Sequence, residues 1–101
     1  MARSTRRPSA RASAGSRLVV ERVQTGLRME KRLLKVLKAL AEFHDLTLGD
    51  LLEGIVLHAF DGKAPFRDEN LKRIADLKRI YGLDLDSRAS HRLIEREGQD
   101  R

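Results

Sequence analysis

Arg22, Gln24, Gly26 and Arg28 fall on every second position of the stretch 19–29, alternating with Val23, Thr25, Leu27 and Met29. In a β-strand successive side chains point to opposite faces, so one face would be basic and polar and the other largely apolar. A row of guanidinium and amide donors suits a polyanion. It does not suit acid–base or nucleophilic chemistry, and nothing else in the sequence supplies that. There is no cysteine, and His44, His58 and His91 are spaced too far apart to form a helical ligand pair. No nucleophile–base pair, metal-ligand spacing or phosphate-cradling glycine loop is present. Neither an enzyme, a metal nor a cofactor is expected.

The stretch 19–29 has a problem that points beyond one chain. A lone strand cannot satisfy its own backbone donors and acceptors. No second strand pattern occurs elsewhere in the sequence, so a second copy is the simplest source of a partner. A two-fold protein presenting a polar, basic ribbon suggests a DNA reader.

Charge distribution points the same way. The 101 residues carry a formal charge of +6. Residues 1–17 contribute +5 with no acid, residues 18–38 contribute +4, and residues 39–101 contribute −3. Positive charge is thus concentrated in the front third, as expected where that end meets nucleic acid, although a solubilising charge run gives the same pattern. Residues 1–17 offer almost nothing to bury and are expected to form a disordered basic arm. No apolar run approaches the ~20 residues of a membrane span. No secretory signal is evident either, so a cytoplasmic, nucleoid-associated protein without membrane contact is expected.

Three helices must position the strand. Residues 30–44 place Leu33, Val36, Leu37, Leu40 and Ala41 on one stripe, widened by Leu34 and Phe43, with Lys31, Lys35, Lys38 and Glu42 opposite. Thr47 is suited to cap a second helix running to about Phe60, with Asp50 three residues later as in a capping box. That helix is apolar around most of its circumference, through Leu48, Leu51, Leu52, Ile55, Val56, Leu57, Ala59 and Phe60. It needs cover on several sides, and a second copy is the physical remedy. Gly54 within it suits close approach of a neighbouring helix, or is simply tolerated. A third helix is predicted from Asp68 to Tyr81, with Leu71, Ile74, Leu77, Ile80 and Tyr81 facing inward and Gly82 ending it. Leu83, Asp84 and Leu85 read as a linker, followed by a short helix capped by Asp86 or Ser87 and reaching about Glu97.

The order strand, helix, short turn, helix resembles the ribbon-helix-helix fold of Arc/MetJ-type repressors. The resemblance covers roughly residues 20–61. It is carried by Gln24-Thr25-Gly26-Leu27-Arg28-Met29, the stripe Leu33, Val36, Leu37 and Leu40, the turn Asp45-Leu46-Thr47, and Leu52, Val56 and Phe60 at core spacing. It implies a mainly α fold in which one β-strand pairs across a homodimer and enters the DNA major groove, with residues 63–101 added as a C-terminal helical extension. By this resemblance Arg22, Gln24, Gly26 and Arg28 contact bases. Gln suits adenine and Arg suits guanine, each pair giving ~1–3 kcal/mol of discrimination. Gly26 departs from the pattern by bringing no side chain to the central position, which shifts recognition toward phosphate contacts and DNA shape. A glycine there also suits close backbone approach or a bulge. The family clamps phosphate at the start of its second helix, here Thr47, Leu48 and Gly49. Lys31 and Arg32 follow the ribbon and would add phosphate contacts, or else form a solvated helix face.

The expected function is therefore a sequence-specific transcriptional regulator, in the manner of a repressor, whose partners are double-stranded DNA and a second copy. The rival within DNA binding is a helix-turn-helix over residues 33–57, but its recognition helix would expose too little polar surface to bases. The alternative outside it is an antitoxin or protein-interaction module that engages a partner protein through residues 63–101.

Overall fold

The computed structural model describes residues 17–96. It is mainly helical: α1 spans Lys31–Phe43, α2 Leu48–Phe60 and α3 Asp68–Tyr81, followed by a 3-10 turn at Ser87–Ala89. The expected basic arm lies outside the described residues, save for Arg17.

Each helix starts and stops for a local reason. Glu30 is the N-cap of α1, its Oε1 accepting from the Leu33 amide at 2.8 Å. Thr47 caps α2, its Oγ1 accepting from the Asp50 amide at 3.0 Å. Asp68 and Glu69 in the first turn of α3, with Lys78 and Arg79 in its last, match the helix dipole at both ends. All three helices end alike. A residue one or two positions past the helix end turns left-handed, and the amide of the next residue reaches back five positions to a carbonyl in the last turn. These closures are Leu46 N–H to Ala41 O at 2.9 Å, Lys63 N–H to His58 O at 2.8 Å and Leu83 N–H to Lys78 O at 2.8 Å. The left-handed positions are Asp45 (φ 58°), Gly62 (φ 71°) and Gly82 (φ 70°).

Helix α1 is the central element, packing against both α2 and α3. The core is Leu40, Ala41 and Leu51, joined by the half-buried Leu37, Leu46, Ile55, Phe66, Ile74 and Leu77. Val36 and Leu83 are buried as well. Polar contacts seal the α1–α3 side: His44 Nε2 lies 2.9 Å from Asn70 Oδ1, and the Arg73 guanidinium sits 3.6 Å from the centre of the Phe43 ring. The extension thus docks on the helix pair through Phe66, Ile74 and Leu77.

Several expectations need correction. No β-strand occurs among the described residues, and residues 18–29 form no backbone hydrogen bond with the rest of the described chain. A strand exists only through its ladder, and one chain supplies no second edge. The expected inner face of that stretch is not covered either: Val23 and Leu27 are exposed, and only Met29 is half-buried. In α3, Leu71, Ile80 and Tyr81 are exposed rather than inward, because a single helix, α1, covers too narrow an arc to bury them. Beyond Gly82 the described residues form one 3-10 turn instead of a helix. Asp86 does cap it, accepting from the Arg88 amide at 3.0 Å. Leu83 is no linker residue: it is the apolar position that follows a left-handed glycine closure and packs inward.

Candidate nucleic-acid interface

The stretch before α1 passes beside the first turn of α2 and leaves a groove of about 690 Å³ between them. Val23, Leu27, Met29, Leu34, Leu48 and Leu52 supply its apolar lining, while Gln24, Thr25 and Lys38 bring polar groups to the same space. Gly26 and Gly49 lie on it too, so the expected central reading position and the start of α2 share one cleft. Neither glycine is crowded: a Cβ on either would meet nothing within 4 Å. Gly26 is also outside the left-handed region, so neither backbone conformation nor neighbours require glycine there.

Arg22 does not project away from the protein. Its Nε and Nη2 donate to Glu53 on α2 at 2.8 and 2.6 Å. This fork raises the guanidinium's pKa, chiefly by the hydrogen bonds and then by the charge of Glu53. It also holds the Glu53 carboxyl below its ordinary value, against a smaller opposing push from partial burial. The pair is open to water, so its net stabilisation is small. Its effect is positional: it ties the stretch to the side of α2.

Arg28 makes a similar fork with Glu95, donating from Nε at 3.0 Å and from Nη2 in a second, shorter bond. Gln24 is exposed and Lys31 stands exposed at the first position of α1. Arg32 faces another part of the molecule. It donates to Glu30 at 3.0 Å, to the Gly82 carbonyl at 2.9 Å and to Asp84 at 3.0 Å, bracing the start of α1 against the end of α3. Sequence spacing placed Arg32 beside Lys31 but gave no sign of this long-range role. Glu53 and Glu95 were also missed, because exposed acids 31 and 67 positions from their partners leave no periodic trace.

At the start of α2, the amides of Leu48 and Gly49 precede the first possible intrahelical bond, and cap Thr47 serves Asp50. They form the donor edge that the helix dipole makes favourable for an anion. The cleft therefore brings together Gln24, Gly26, Leu48 and Gly49, with Arg22 at its rim, whereas Arg28, Lys31 and Arg32 lie outside its lining.

The outer side of α2 continues this open surface. Val56, Leu57 and Phe60 are exposed, Phe60 by 81%. Leu52, Val56 and Phe60 recur at four-residue spacing and so share one face of the helix. Among the described residues, no cluster of three or more His, Asp or Glu side chains is arranged to hold a metal ion. No helix there is long and apolar enough to cross a membrane. Comparison with protein-family models, curated proteins and solved structures finds no match for this chain.

Proposed function

We propose that this chain is one protomer of a homodimeric, sequence-specific DNA-binding regulator of the ribbon-helix-helix type. One observation carries the reading: the unpaired stretch 18–29 borders an apolar cleft that also contains the exposed donor edge of α2. A second copy answers three needs together. Its own stretch supplies the missing ladder, its apolar side chains fill the cleft, and its α2 covers Leu52, Val56 and Phe60. Pairing turns two marginal stretches into a two-stranded ribbon, with Gln24 and Arg28 side chains available to base edges. The amides of Leu48 and Gly49, with Lys31, then meet phosphates on either side. The concentration of positive charge in residues 1–38 adds the sequence-independent attraction.

Sedimentation of the full chain at micromolar concentration should give a dimer; a compact monomer overturns the reading. Binding to random-sequence duplex should weaken steeply with salt. Selection of preferred sites should return paired half-sites, and Arg28→Ala should reduce the preference among sequences more than the overall affinity.

A second reading has its own support. Leu71, Ile80 and Ile94 are exposed, Ile94 by 92%, which leaves exposed apolar surface between residues 63 and 96 for a protein partner. An antitoxin or interaction module would use that surface. An interaction module with no DNA role predicts no steep salt dependence of duplex binding, which separates that form of it from the first.

A further inference from the structure

The end of the described chain returns to the stretch proposed to read DNA. Residues 92–96 form neither helix nor sheet, yet Glu95 reaches Arg28, 67 positions earlier, and accepts both arms of its guanidinium fork. The same two parallel donors that match a carboxylate match guanine O6 and N7. Carboxylate and base edge therefore compete for one edge of one side chain.

The pair is not explained by packing. The Arg28 and Glu95 side chains are 74% and 57% exposed, and the neighbouring Leu93 and Ile94 are exposed too. The tail is held to the front of the molecule by this polar contact rather than by burial. The Arg22–Glu53 fork differs, because the Glu53 backbone is held within α2 and only its side chain can turn away. Glu95 sits on a segment outside any helix, and its neighbours Leu93 and Ile94 are exposed, so little packing opposes its displacement.

We propose that Glu95 is a tethered anionic competitor that masks Arg28 in the DNA-free protein and is displaced when duplex enters. The inference rests on the DNA-binding reading above and adds an autoinhibitory contact to it. Tethering keeps the carboxylate at high effective concentration, while exposure keeps the contact weak enough to yield to DNA.

The test is a double-mutant cycle on the full chain, titrating random-sequence duplex at low salt. Glu95→Gln should bind about 2- to 5-fold more tightly than the unaltered protein, the range set by an exposed ion pair. In an Arg28→Ala background the gain should vanish. Glu69→Gln removes the same charge from a carboxylate not paired with Arg28 and should give a clearly smaller gain. An equal gain in both backgrounds, an equal gain from Glu69→Gln, or no gain at all overturns the inference while the unaltered protein still binds. If neither the unaltered protein nor Glu95→Gln binds duplex, the DNA-binding reading itself falls, and the masking contact falls with it.

Discussion

Helix α1 meets α3 through a surface the chain completes by itself, whereas the surface formed by residues 18–29 and α2 is left open. On the first, Leu40, Ala41, Ile74, Leu77 and Phe66 close on one another, and Arg32 joins Glu30 to Gly82 and Asp84. On the second, Val23 and Leu27 beside the cleft and Val56 and Phe60 further along α2 are exposed, and the polar contacts are surface forks. Similar apolar side chains have opposite fates. What differs is whether a local element is available to pair with: α3 is a complete helix that brings its own backbone bonds, and residues 18–29 have no such bonds of their own. The open side is thus the one on which the proposed second copy would pack.

The largest way to break this contrast is at its closed side. Leu40 is 1% exposed at the junction of the three helices. Leu40→Ala should cost roughly 2–5 kcal/mol, from lost burial and the cavity left behind. Denaturant unfolding measures it, and a cost under about 1 kcal/mol would mean that the core is not where it is placed here. The matching change on the open side is Val56→Asp. Within one protomer Val56 is 42% exposed and a carboxylate there is tolerable. Across a dimer it would be buried and unpaired, weakening association by about 3 kcal/mol, or roughly 100-fold. Sedimentation should then show a folded or partly folded monomer where the unaltered protein is dimeric. If Val56→Asp leaves the assembly state unchanged, α2 does not form the shared face.

A smaller effect lies at Glu30, where the two sides meet. Partial burial alone would raise this carboxyl, but the Leu33 amide and Arg32 outweigh it and leave the pKa below its ordinary 4.5. A lowered folded-state pKa means that the stabilisation is fully present above 4.5 and is lost as pH falls through the lower folded value. Glu30→Ala should therefore cost about 1 kcal/mol at neutral pH, the usual worth of a cap. The difference from the unaltered protein should shrink in acid below that range. A cost that stays constant down to strongly acidic pH would show that the cap does not act through its charge.

Much of the closed side was legible in the sequence. The period of α1, the Thr47 cap, and the bounds Asp68 and Tyr81 with Gly82 as terminator all follow from local rules, and the structure places them there. What local rules missed was long-range pairing. Leu83 read as linker because its burial depends on the closure at Gly82, and Arg32 read as a surface cation because its acceptors are 50 and 52 residues away. The expected last helix reduced to one turn because Ala89 is half-buried and Leu93 and Ile94 are exposed, which is too little packing to hold it. At the candidate interface the sequence yielded residue types and alternation. It did not show that Arg22 and Arg28 are each met by a carboxylate, since exposed ion pairs need no pattern. The basic arm falls outside the described residues.

The smallest prediction concerns the turn that joins the closed side to the open one. All three helices end in the same left-handed closure, but only α2 and α3 place glycine at the left-handed residue. Asp45 adopts φ 58° with a Cβ, a conformation L-residues reach at some cost, though Asp bears it better than most. Asp45→Gly removes that strain, and the added freedom of glycine in the unfolded chain offsets part of the gain. A net stabilisation of about 0.5 kcal/mol is expected, read as a higher denaturation midpoint with unchanged slope. The Leu46 amide should keep its bond to Ala41, so Leu46 should stay against the core and assembly should be unaffected. If Asp45→Gly instead destabilises, the Asp45 side chain contributes more to this turn than its backbone strain costs. The joint between α1 and α2 would then depend on that carboxylate rather than on the closure shared with the other two helices.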